Sequence, residues 1–139
     1  SQSDKYKIDR VMDEYFNILK QEGFAPSYDD EDDIEFKIEG SWYYILRPDY
    51  DYAFSLGRWL RHDDGCTEKA YGATNYASLS TRYGKAYLST DCKSLVIKSN
   101  LYNNGEDPAE IVRQGIAAVK YCENKFFEKY HDEGNDNKW

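Results

Sequence analysis

Apolar residues recur at three- and four-residue spacing over residues 3–22, where Ile8, Val11, Met12, Tyr15, Phe16 and Leu19 share one face. This spacing predicts an amphipathic helix, with Gly23 as its C-terminal cap. From Ile34 the period changes to two. Ile34, Phe36 and Ile38 fall on one side and Asp33, Glu35, Lys37 and Glu39 on the other, the pattern of a half-buried strand. Gly40-Ser41 reads as a two-residue turn into a second strand over 42–46. Pro48-Asp49-Tyr50-Asp51 reads as the turn into a third strand over 52–59. In that register Tyr43, Ile45, Phe54 and Leu56 join the first apolar face. The opposite face carries Trp42, Tyr44, Leu46 and Trp59 beside the small residues Ala53, Ser55 and Gly57.

After a polar loop over 62–65, residues 68–82 read as a weak helix: Ala70, Ala73, Ala77 and Leu79 favour it and Gly72 and Asn75 do not. Gly84 is expected to end it. A hairpin over 85–90 and 95–102 follows around Asp91-Cys92-Lys93-Ser94, with Ala86, Leu88, Leu95, Ile97 and Leu101 facing inward. Asp107-Pro108-Ala109-Glu110 supplies a cap, a first-turn proline and a glutamate, and Ile111, Val112, Gly115, Ile116, Val119, Cys122 and Phe126 continue at helical spacing. The order is α-β-β-β-α-β-β-α. Short hairpins make the sheet antiparallel, so the expected fold is an α+β domain with helices packed on a sheet. A single domain over 1–139 is expected, with an ordered core over about 5–130 and a polar tail over 131–139.

Composition narrows the functional classes. Eighteen Lys and Arg stand against 26 Asp and Glu, a net charge of -8. That sign disfavours nucleic acid and anionic membrane surfaces as partners. No run of apolar residues is long enough to span a bilayer, and no apolar leader segment opens the chain. The first residue is Ser1 rather than Met, as expected if an upstream segment has been removed. The 14 Tyr, 6 Phe and 3 Trp total 23 aromatics. Residues 29–33, Asp-Asp-Glu-Asp-Asp, hold five of the negative charges and are expected to form an extended, solvated loop.

Candidate chemistry is sparse. Cys66, Cys92 and Cys122 are an odd number at wide spacing, fitting neither a CxxC metal knuckle nor a complete disulfide framework, and a reducing, cytoplasmic location is the simpler expectation. His62 and His131 are far apart in sequence, and His62-Asp63-Asp64 with Cys66 lacks the repeated ligand pairs of a zinc site. Counted from Asp29, the sixth and twelfth places of a calcium loop are Ile34 and Gly40 instead of Gly and Glu. Asp63 with Asp64, and Asp49 with Asp51, could pair as acid and base in glycoside hydrolysis, although turn-forming Asp explains them more simply. No metal, cofactor or catalytic set is expected.

The element order resembles the YbjN-type family of bacterial sensory-transduction regulators, whose fold is that of the type III secretion chaperones. The stretch Ala73-Thr74-Asn75-Tyr76, the hairpin Lys85-Ala86-Tyr87-Leu88 to Leu95-Val96-Ile97 and the capped helix from Asp107 carry the resemblance, which covers roughly residues 5–130. It implies a small, acidic, non-enzymatic domain that dimerises and binds other proteins. The acidic run and the tyrosine-rich surface depart from that pattern. The expected function is a non-catalytic protein-binding domain, acting as a homodimer and holding a protein or peptide on the face of Trp42, Tyr44, Leu46 and Trp59. The alternative is a small-ligand or carbohydrate-binding module that stacks on Tyr and Trp. Cover for that face can come from residues 68–82 of the same chain or from a second molecule.

Overall fold

Three helices pack on one face of a six-stranded antiparallel sheet. The computed structural model describes residues 2–49, 53–102 and 106–134. The elements are α1 (Gln2–Gln21), β1 (Ser27–Tyr28), β2 (Ile34–Ile38), β3 (Ser41–Leu46), β4 (Phe54–Arg61), α2 (Glu68–Leu79), β5 (Gly84–Leu88), β6 (Ser94–Leu101) and α3 (Pro108–Gly134), and the sheet order is β1-β2-β3-β4-β6-β5. The α+β class and the antiparallel sheet agree with the sequence pattern. The two-residue β1 is an additional strand that the pattern does not announce. Tyr50, Asp51 and Tyr52, in the expected turn and start of the third strand, lie outside the described residues, as do residues 135–139 of the expected tail. The final helix itself runs on to Gly134.

Strand alternation sorts the core. Ile34, Phe36, Tyr43, Ile45, Phe54 and Leu56 are buried together with Ala86, Leu95, Ile97 and Leu101. The Tyr15 ring of α1 meets Phe54 edge-on at 5.6 Å. On α3, a Cβ at Gly115 would lie 2.8 Å from a Leu101 methyl carbon, so the absent side chain lets the helix approach the sheet. The β2–β3 turn is Glu39-Gly40, with φ of 51° and 82°, one residue earlier than Gly40-Ser41. Two positive φ values make it the mirror-image turn that matches strand twist. The change moves each cross-strand partner by two positions, and side-chain period two leaves the faces as expected.

Helix α2 begins at Thr67, whose hydroxyl accepts the Ala70 amide, and ends at Leu79 with Ser80 as its C-cap. It therefore stops before residue 82, and Gly84 opens β5 instead of closing the helix. Its Ala73 and Ala77 join the core beside α3 and β5. Ser78 Oγ accepts the Ala86 N–H and donates to the Ala86 carbonyl, filling polar groups on the outer edge of β5. The two outer strands thus end differently, β1 by shortness and β5 by this side chain.

The cysteine expectation is corrected by the fold. His62 N–H donates to the Lys93 carbonyl, bringing the loop before α2 against the β5–β6 turn. Cys66 and Cys92, 26 residues apart, are joined there in a disulfide with Cα atoms 5.2 Å apart. Sequence spacing cannot show such a long-range approach. Closing that loop stabilises the fold by roughly 3–4 kcal/mol on a chain-entropy account. Cys122 is free and buried, and burial pushes its thiol up to about 11, which leaves it protonated at neutral pH.

One ion pair ties sheet to helix inside the apolar layer. Arg58 of β4 hydrogen-bonds through Nη1 to the Glu123 carboxylate of α3, and its guanidinium lies 5.2 Å from the Tyr43 ring centre. The two side chains are 14% and 21% exposed. Removing one partner from such a site leaves the other charge poorly solvated. Glu123→Gln is expected to lower unfolding free energy in urea by on the order of 2–4 kcal/mol with an unchanged slope. A loss below about 0.5 kcal/mol would assign the pair the weight of a surface contact.

Candidate functional site

All three helices lie against the face that carries Leu56, and among the described residues none covers the other. That second face is built in rows by the strand register. Glu35, Tyr44, Gly57, Lys98 and Lys85 are successive cross-strand partners on β2, β3, β4, β6 and β5. Two residues along, Lys37 pairs with Trp42, and Trp59 and Tyr87 both pair with Val96. Leu46, Ser55 and Asn100 form the row on the other side.

The four expected residues, Trp42, Tyr44, Leu46 and Trp59, therefore do share one surface. Trp42 is 44% exposed and Trp59 is 40%, while Tyr44 and Leu46 are half-buried. Tyr44 and Trp59 meet edge to face at 5.6 Å. The helix of the expected 68–82 segment packs instead with α3 and β5 in the helix layer on the opposite face, where Ala73 and Ala77 join the core, and leaves this surface open.

Strands β5 and β6 add further residues to this face, which the pattern of residues 34–59 does not contain. Val96 is only 2% exposed although it faces away from the helices, because Trp59 and Tyr87 flank it. Lys98 Nζ lies 5.4 Å from the Trp59 ring centre and 5.6 Å from that of Tyr87. Lys37 Nζ lies 4.8 Å from the Trp42 ring centre. These are cation–π distances, which hold the ammonium groups over the rings. The sequence signal for them is the outward set Lys85, Tyr87, Val96 and Lys98, alternating with the inward set of the last hairpin. Gly57 admits the Lys98 stem: a Cβ there would lie 3.0 Å from Lys98 Cγ and 2.6 Å from the Ile97 carbonyl oxygen.

The acidic run is a folded turn rather than an extended loop. Asp29 Oδ1 accepts the Glu31 and Asp33 amides, and Asp33 Oδ1 accepts the Arg47 amide at 2.8 Å. Asp32 takes a positive φ of 60°. The turn brings Asp29, Glu31 and Asp33 to the edge of the aromatic face, where they line a hollow of about 310 Å³ with Tyr44, Leu46 and Trp59.

Other candidate chemistry is occupied by structural contacts. Asp63 pairs with Arg61 at 2.7 Å, and Asp64 accepts the Tyr130 hydroxyl. Burial, followed by that hydrogen bond, pushes Tyr130 up to about 12. The two histidines, distant in sequence, converge on Tyr130 at ring-centre distances of 6.1 and 6.5 Å. His62 is buried with Nε2 2.6 Å from the Gly65 carbonyl oxygen. Among the described residues no three His, Cys, Asp or Glu side chains gather as a metal site, and no helix is long and apolar enough to cross a membrane.

No family model, characterised protein or solved structure matches the chain.

The acidic turn gives a pH test. Burial raises the Asp33 carboxyl above 3.8; the Arg47 amide opposes this, and Asp29, Glu31 and Asp32 add to it by repulsion. The folded protein then takes up this proton at higher pH than the unfolded chain does. The associated stability is complete below the unfolded value and is lost as pH rises through the folded one. Asp33→Asn, which keeps an acceptor for the Arg47 amide, is expected to flatten that loss on the alkaline side of the ordinary aspartate range and to raise the urea midpoint at neutral pH. Parallel midpoint-against-pH curves for the two proteins would contradict the assignment.

Proposed function

We propose that this is a non-catalytic protein-binding domain whose open aromatic sheet face docks another polypeptide. The observation that carries the reading is that, among the described residues, no helix covers Trp42 and Trp59, and both rings are well exposed on an antiparallel sheet. Aromatic side chains bury about 150–250 Å² each when covered and dominate interface energetics. The resemblance to the YbjN-type regulators and the type III secretion chaperone-like fold supports the same reading, since it implies a small, acidic, non-enzymatic binding domain. The expectation of a cytoplasmic location drew partly on the cysteines, and the Cys66–Cys92 disulfide supports an oxidising compartment instead.

A second reading is favoured by the hollow beside the acidic turn. Tyr44 and Trp59 supply ring faces there and Asp29, Glu31 and Asp33 supply acceptors, a combination suited to a small polyhydroxylated ligand such as a sugar. A glycan and metabolite screen read by thermal shift separates the two, because a ligand of the native state raises its apparent stability.

Trp42→Ala tests the main reading. It is expected to weaken association at least tenfold, measured by light scattering and by capture from cell extract, while changing unfolding free energy by less than about 1 kcal/mol. Destabilisation by about 3 kcal/mol or more with association intact would make Trp42 a core residue and overturn the reading.

A further inference from the structure

Resting on the reading of this face as a docking surface, we propose that its occupant is a second copy of this chain, packed sheet on sheet about a two-fold axis that runs along β4. The charge pattern of the rows selects this arrangement. Glu35 and the acidic turn stand at the β2 side of the face, where Lys37 is held over the Trp42 ring, and Lys98 and Lys85 stand on β6 and β5. A partner of one charge sign would meet repulsion over half of such a surface. A second copy turned about β4 sets Glu35 against Lys85 of the partner subunit, an opposite-charge pair repeated on both halves.

The register specifies the contacts. Rotation about β4 carries β2 over the partner's β5 and β3 over its β6 and leaves each row on itself. Glu35 then lies over Lys85 of the partner subunit, Trp42 over the partner's Val96, and Lys37 over the partner's Tyr87. At the axis Trp59 meets its own copy. A two-fold axis across the strands would instead set Glu35 on Glu35, Lys98 on Lys98 and Lys85 on Lys85, and like charges so placed are unfavourable. Aligned sheets cross at about 30°, so the central aromatic contacts are set by the backbone and the outer charge pairs by long, flexible side chains.

Size sets the affinity range. Five strands at ~4.8 Å spacing and about six residues at ~3.3 Å give a patch roughly 20 Å on each side. That footprint of about 400 Å² is half of the about 800 Å² per partner of a standard interface and belongs with weak, transient contacts. Dimerisation with a Kd on the order of tens of micromolar or above is therefore expected.

Sedimentation equilibrium on the whole chain tests the arrangement with Glu35→Lys, Lys85→Glu and the double variant. The native chain is expected to dimerise, each single variant to raise the dimer Kd about tenfold, and the double variant to return it to within about threefold. Because Lys85 is exposed and Glu35 half-exposed, unchanged melting curves are expected for all three at nanomolar concentration, where the chain is monomeric. Raising sodium chloride about tenfold should also weaken the native dimer severalfold without any substitution, by screening the charged pairs. A native chain that remains monomeric at several hundred micromolar, a figure of roughly 5 kcal/mol of association or less, overturns the proposal. So does a dimer that the double variant fails to restore. If the monomer still captures another protein in a Trp42-dependent way, self-pairing fails and the docking face stands; if it captures none, both fail.

Discussion

The structure depends on the one-sided burial of a period-two sheet. Every central strand turns alternate side chains toward the same three helices, and Leu56 and Ile97 lie at the middle of that layer with no exposure. Gly115 permits α3 to descend onto Leu56 and Leu101, and the Arg58–Glu123 pair fixes the same helix further along. Once the helices are committed to this side, the alternate residues have no cover within the described chain. The open face is thus a geometric consequence of how the core is closed.

An antiparallel sheet with one solvated face is common, and its outward residues are usually polar. Here that face carries Trp42, Tyr44, Trp59, Val96 and Tyr87. The edges offer little opportunity for strand addition, since β1 is two residues long and Ser78 occupies the Ala86 edge groups. Lys37 and Lys98 shield part of the ring surface while leaving it accessible. Such a surface combines local solubility with a latent apolar contact, and its charges are distributed by strand position. The acidic residues of the turn add to one side of that distribution instead of forming a uniform negative field.

Legibility in the sequence followed the range of the interactions concerned. Alternation along 34–38 and 42–46 depends only on neighbouring residues, so the inward and outward sets were readable even though the turn lies one residue earlier than Gly40-Ser41 suggests. The cap at Asp107 was readable for the same reason: its carboxylate accepts the Ala109 amide two residues on. Strand order is a tertiary property. Placing β6 between β4 and β5 is what extends the aromatic surface to Val96 and Tyr87. The Cys66–Cys92 bond and the approach of His62 to Tyr130 likewise depend on contacts between distant segments. The acidic run departs from the composition-based expectation of repulsion because Asp29 and Asp33 each accept backbone amides that organise the turn.

The central claim is that Trp42 and Trp59 are uncovered within one chain and covered between chains. Acrylamide quenching of tryptophan fluorescence across a dilution series, in a Trp139→Phe background that leaves only these two indoles, measures this directly. The account predicts efficient quenching and red-shifted emission at nanomolar concentration, with protection and a blue shift as the concentration rises through the micromolar range. Strong protection that persists at nanomolar concentration, with no dependence on dilution, would contradict it.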